Sequence, residues 1–274
     1  MKTATRKNRI RPACVAVMFF CLFAGLSAGQ ETPKSSAPPL TAKSGALIDL
    51  TGYWVQLVTE DWRWRMMTPP KGDYASMPLN ENGIRTANTW DPAKDEAAGV
   101  QCRAYGAAGL MRVPGRLHIT WADENKLRIE HDTGMQTRLF LFGVPVVPAA
   151  KPAKPTWQGY SSAQWEKQPQ VKGFSEARAR HTGVGQIEPG KGGSLKVVTT
   201  NMLPGYIRKN GVPYSGNAVL TEYFDRFDLD GDSYLILTQI VEDPLYFSER
   251  LITSEHYRRE PDGSRWDPSP CTAR

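Results

Sequence analysis

Between Leu50 and Arg258 apolar residues recur at every second position in short runs, and clusters of Asp, Asn, Gly and Pro separate the runs. A side-chain period of two fits a pleated strand and not a helix, so the pattern commits most of the chain to β-structure. Thr51–Val58 opens the series with Tyr, Trp and Val. Trp62 and Trp64 alternate with Arg63 and Arg65 and read as a second short strand. Leu117, Ile119 and Trp121 alternate with Arg116, His118 and Thr120. Leu127 and Ile129 continue beyond the turn Asp123-Glu124-Asn125, and Gln136–Phe142 follows Asp132-Thr133-Gly134. Ser194–Thr200, Ala218–Phe227, Tyr234–Glu242 and Leu251–Arg258 complete the set, the middle two joined across Asp230-Gly231. Hairpin-length turns make this an antiparallel barrel or sandwich, and a barrel also removes exposed strand edges.

One helical excursion interrupts the strands near 80–98. Leu79, Ile84, Ala87 and Trp90 fall near one face, and Asp91-Pro92 can cap and open a second turn. Residues 143–156, with four prolines, and the stretch from Ser161 to Gly193 read as loops. No repeat or composition shift divides the chain, so 45–274 is expected to be a single β-rich domain.

The N-terminal segment belongs to targeting. A basic stretch from Met1 to Arg11 precedes the apolar run Ala13–Leu26, and Ser27-Ala28-Gly29 offers the small-residue exit of a secretory signal peptide. Retention as an uncleaved anchor is the rival reading, at the short end for a spanning helix. Residues 30–44, rich in Pro and Ser, read as a flexible tether. The net charge of +6 is a product of the same segment, because five basic residues and no acid fall in residues 1–29. Without them the balance falls to +1, which gives no case for a nucleic-acid partner. The expected location is periplasmic or secreted, with no membrane span after signal cleavage. Cys14 and Cys21 leave with the signal. Cys102 and Cys271 remain, and an even pair in an exported chain suggests one disulfide.

Motifs that would name a reaction are missing. Asp228, Asp230 and Asp232 are spaced like a calcium loop, but Ser233 and Gln239 stand where glycine and a bidentate glutamate are required, so a hairpin turn is the better reading. His118, His131, His181 and His256 lack metal-ligand spacing, and no cofactor or metal is expected. Gly190-Lys191-Gly192-Gly193-Ser194 has a phosphate loop's composition but precedes a strand, so no helix N-terminus supplies the amide cradle. Two features stay open. Trp54, Trp62 and Trp64, with Arg138, are candidate ligand-binding residues that form either core or pocket wall. Glu222 lies on a strand apolar on both faces and needs a partner from Arg226, Arg138 or His256. It is then either a structural ion pair or, with Arg226, a weak catalytic candidate whose desolvated carboxyl carries a proton.

Gly193–Asn201, Asn210-Gly-Val-Pro213, Leu220–Arg226 and Val241-Glu-Asp-Pro244 together resemble a family of uncharacterised exported bacterial proteins, and Pro78–Gly83 and Cys102 look like that family's pre-barrel helix and cysteine. Tyr223 departs from the family's usual Arg. The resemblance implies a lipocalin- or calycin-like β-rich fold and carries over no catalytic residue. Two functions follow as expectations: an exported β-barrel that binds a small, largely apolar molecule, or a barrel-pocket enzyme doing hydration, isomerisation or cyclisation with Glu222 as proton carrier. A structural partner in an envelope assembly is a third.

Overall fold

The computed structural model describes residues 40–146, 154–167 and 193–274. Residues 1–39, which hold the expected signal and most of the expected tether, lie outside the described residues, as do His181 and Gly190–Gly192.

Strand β1 (Gly52–Leu57) is followed by four short α-helices: α1 (Trp62–Arg65), α2 (Glu81–Ala87), α3 (Pro92–Ala97) and α4 (Ala107–Leu110). Ten further strands follow: β2 (Arg116–Asp123), β3 (Lys126–His131), β4 (Gln136–Phe142), β5 (Tyr160–Lys167), β6 (Gly193–Thr200), β7 (Gly205–Arg208), β8 (Val212–Tyr214), β9 (Val219–Leu229), β10 (Asp232–Glu242) and β11 (Leu251–Glu260). Nine of the strands close a barrel in the order β1-β11-β10-β9-β6-β5-β4-β3-β2, while β7 and β8 form a separate hairpin. Closure leaves no edge among the nine.

The barrel corrects one expectation of the topology. Its pairings are antiparallel except β4 with β5, which run parallel with Phe140 opposite Ser161. The long connection after Phe142 returns the chain to the same end before it pairs again, which a tight turn cannot do. Tyr160–Lys167 is thus a strand and not part of a loop. Ser161, Ser162 and Ala163 carry no apolar alternation, so this strand is defined by its neighbours and not by its own pattern.

The helical excursion near 80–98 is present as two helices. Asn80 Oδ1 accepts from Gly83 N and caps α2, and Asp91 caps α3 with Pro92 in the first turn. Helicity extends beyond that window, through a 3-10 turn at Gln101–Tyr105 to α4. Trp62–Arg65 is a single helical turn and not a strand. Four residues of alternation suit one turn of helix as well as a strand, and here the chain has left the barrel wall with no neighbour to pair with. Residues 41–44, which the sequence assigns to the tether, are ordered. Thr41–Ser44 forms a turn docked on the barrel, with Lys43 N donating to Glu124 O and Ala42 O accepting from Trp165 Nε1.

Inward positions follow the pleat. Trp54, Leu117, Ile119, Phe140, Phe224 and Tyr257 are fully buried and fill the lumen. A second apolar cluster, including Ala107, Ile207, Tyr214, Leu220 and Phe247, packs α4 and the β7–β8 hairpin over one end of the barrel. The outer face of β9 is only half-buried, and Phe227 is exposed, so that strand is covered on one side and not on both. Cys102 and Cys271 are bonded across a sequence separation of 169. The bond fixes the last segment against the β3–β4 turn, where Gly134 N donates to Ser269 O and Ser269 N donates to Asp132 O.

Candidate functional site

Two charged clusters lie within this frame. The first is inside the lumen. Glu222 on β9 and Arg138 on β4, three strands away in the barrel order, point inward, and both side chains are fully buried. Arg138 donates from Nη1 to Glu222 Oε1 at 2.7 Å and from Nη2 to Oε2 at 2.6 Å, a fork-to-fork pair. Gln239 Nε2 adds a bond to Oε1 at 3.2 Å, and Thr199 Oγ1 accepts from Arg138 Nη2 at 3.2 Å. The guanidinium lies 4.9 Å from the Phe140 ring centroid. Arg226 takes no part. It shares the inward parity of Glu222, but β9 runs past the barrel rim there, and its guanidinium pairs with Asp228 and bonds to Asp49 O and Ser233 Oγ. His256 is also elsewhere, between Thr59 and Ser254.

The second cluster begins where β1 leaves the wall. Asp61 adopts a left-handed φ of 52° and turns the chain into α1. Its Oδ2 accepts from Arg112 Nη2 at 2.6 Å. Glu255, fully buried on β11, sits between Arg65 Nη1 at 2.7 Å and Arg112 Nη1 at 3.2 Å. Burial pushes the Glu255 carboxyl up to about 7 against the pull of Arg112 and Arg65. Tyr257, also fully buried, donates to Met111 O at 3.1 Å and is within electrostatic reach of both clusters. Its hydroxyl is raised well above the ordinary tyrosine value, mainly by burial.

Arg65 and Arg112, both with buried side chains, line a cleft of about 260 Å3 between α1, α4 and the β7–β8 hairpin. Trp64 forms one wall. Its Nε1 donates to both Asp73 oxygens at 3.1 Å, and its ring lies 5.2 Å from the Arg208 guanidinium. Met66 and Met67 continue the wall outward and are 61% and 75% exposed. Arg208, at the end of β7, is 4% exposed. Burial, reinforced by Arg112, lowers its pKa to about 10, so it is still a cation at neutral pH. Lys209 follows it and donates to Tyr105 OH, Thr272 Oγ1 and Arg274 O.

The three tryptophans expected to act together are therefore separated. Trp54 is core, with Nε1 donating to Leu50 O at 2.9 Å. Trp62 is 66% exposed. Only Trp64 lines the cleft, and Arg138 lies in the sealed lumen instead. Sequence reasoning missed Arg65, Arg112 and Arg208 as a group because they stand on a helical turn, a loop and a two-stranded hairpin whose meeting no local period announces. The spacing of Asp228, Asp230 and Asp232 belongs to the β9–β10 turn, and among the described residues no His, Cys, Asp or Glu cluster of metal-binding size occurs. No helix among them is long and apolar enough to cross a membrane. No family model, curated protein or solved structure matches the chain.

Proposed function

We propose that this chain is an exported binding protein whose small ligand sits in the cleft beside Trp64 and not in the barrel lumen. The observation that carries the reading is the division of space. Large buried side chains fill the lumen, whereas the cleft is open and walled by an indole, two exposed thioethers and arginine stems. Such a mixture of apolar wall and few polar groups suits a small molecule, and the volume suits a modest one. The leader-like N-terminus, the disulfide and the motif resemblance support export and membership of the exported family.

Acid–base chemistry by Glu222 has less support. Both its oxygens are held by Arg138, and neither residue lines the cleft. Tryptophan fluorescence of the purified protein tests the binding site. A bound ligand is expected to quench emission in the parent and not in Trp64→Phe. Quenching that survives Trp64→Phe but disappears in Trp54→Phe would move the ligand into the lumen and overturn the proposal.

A further inference from the structure

Arg208 is out of balance with its surroundings. One of its groups, Nη1, donates to Ala75 O at 3.1 Å. Its Nε and Nη2 are buried and have no partner among the described residues. The carboxylates nearby are committed elsewhere: Asp61 to Arg112, and Asp73 to the Trp64 indole. On the same cleft, Arg65 spends Nη1 on Glu255 and leaves Nη2 buried without a partner. Arg112, by contrast, is bound at both ends, and Lys209 donates three bonds. The unspent donors of the cleft thus belong to two guanidiniums, both taken largely out of water. An unpaired buried cation is costly, and a folded chain that keeps one gains when a ligand supplies the counter-charge. Guanidinium forks match carboxylate and phosphate oxygens in geometry as well as charge.

We infer that the cleft binds a small organic anion, its oxyanion head held by Arg208 and Arg65 and its apolar body laid along Trp64, Met66 and Met67. The inference rests on the cleft being the ligand site and adds the class of ligand. Methionine side chains adapt to irregular apolar shapes, which suits them to the body of such a molecule. The expected ligand is therefore amphipathic and not simply apolar.

The test uses four probes in a buffer free of other oxyanions: hexanoate, hexyl phosphate, inorganic phosphate and 1-hexanol. Calorimetry and thermal melting are read on the parent, Arg208→Met, Arg208→Lys and Arg85→Met. Arg85 is an exposed arginine on α2 paired with Glu81, so its variant makes the same change of charge outside the cleft. At least one of the two hexyl anions should bind the parent about tenfold or more tighter than 1-hexanol and raise its Tm; which one does so identifies the head group. Arg208→Met should lose that margin, Arg208→Lys should keep part of it, and Arg85→Met should keep it whole. Probe-free Arg208→Met should melt at or above the parent, because an orphaned buried charge has been replaced by a thioether. Inorganic phosphate that protects the parent and not Arg208→Met supports the anion site. Binding of 1-hexanol as tight as that of both hexyl anions, equal anion binding by the parent and both Arg208 variants, or no binding by any probe overturns the anion assignment. Hexanol binding abolished by Trp64→Phe would leave the cleft standing as an apolar site, whereas binding indifferent to Trp64→Phe removes the cleft itself.

Discussion

Glu222 and Arg138 show what a single exchange does where water is scarce. Glu222→Gln keeps the shape and removes the charge that neutralises Arg138, leaving a fully buried guanidinium without its counter-ion. The expected loss is about 3–5 kcal/mol in denaturant unfolding. Replacing both partners by apolar residues, Glu222→Leu with Arg138→Met, should recover much of it, because neither charge is then orphaned. An unchanged unfolding midpoint for Glu222→Gln would remove the structural role of the pair. Glu255 makes a different statement about pH. Its folded pKa of about 7 stands above the ordinary 4.5, so the folded state holds this proton more tightly than the unfolded chain. Its contribution is fully present below about pH 4.5 and is lost as pH rises through about 7. Glu255→Gln cannot titrate, so the difference in stability between parent and variant should shift against the parent by about 1–3 kcal/mol across that window. Urea melts at several pH values measure it, and parallel stability curves would show that the carboxyl does not carry the shift.

Among elements, the β7–β8 hairpin is the one on which the cleft depends, since it carries Arg208 and Lys209 into place. Gly211 makes its turn at a φ of +88°, and a Cβ there would come within 2.3 Å of Trp90 Cβ. Left-handed backbone and close approach both require glycine at this position. Gly211→Ala is expected to cost about 1–3 kcal/mol and to weaken binding in the cleft along with it. A stable variant with unaltered binding would show that the hairpin tolerates displacement. Residues of the motifs Pro78–Gly83, Asn210–Pro213 and Val241–Pro244 also gather here. Asn210 Nδ2 donates to Pro70 O and Asp73 O, Asp243 accepts from Ser215 N and Oγ, and Gly83 packs against Tyr246 O. These residues staple the capping elements over the barrel, which accounts for sequence motifs with no chemistry of their own. The alternation in β2, β3, β9, β10 and β11 was legible because each strand buries one face. β5 was not legible because Ser161 and Ala163 are small inward residues and only Trp165 stands apolar beside them, and α1 was not because one turn is too short to show a period.

At the scale of the whole molecule the disulfide closes a loop of most of the described chain. Opening it by Cys102→Ala with Cys271→Ala should cost about 2–4 kcal/mol. Thiol titration of the denatured protein lacking residues 1–29 should find neither cysteine free. Two reactive thiols, or a double variant as stable as the parent, would contradict the bond or its contribution. The bond was legible from an even pair of cysteines behind a leader-like N-terminus, but what it holds was not. The tail it secures runs beside Thr133 and Gly134, next to the turn that leads into the strand carrying Arg138.

Periodicity and turn chemistry were enough to establish a β-rich chain, because a period of two and glycine-bearing turns are local properties that survive any packing. They placed most barrel strands, the helical stretch near 80–98 with the Asp91-Pro92 start of α3, the Asp230-Gly231 turn and the need of Glu222 for a partner. Tertiary structure decided which arginine that partner was. Arg226 is four residues away in the chain but lies beyond the rim, and Arg138 is distant in the chain but meets Glu222 inside the lumen. It also decided the parallel joint between β4 and β5, the separation of Trp54 from Trp64, and the convergence of Arg65, Arg112 and Arg208. Closure of a barrel brings residues together by strand order and shear, and neither quantity is written in the pattern of one strand.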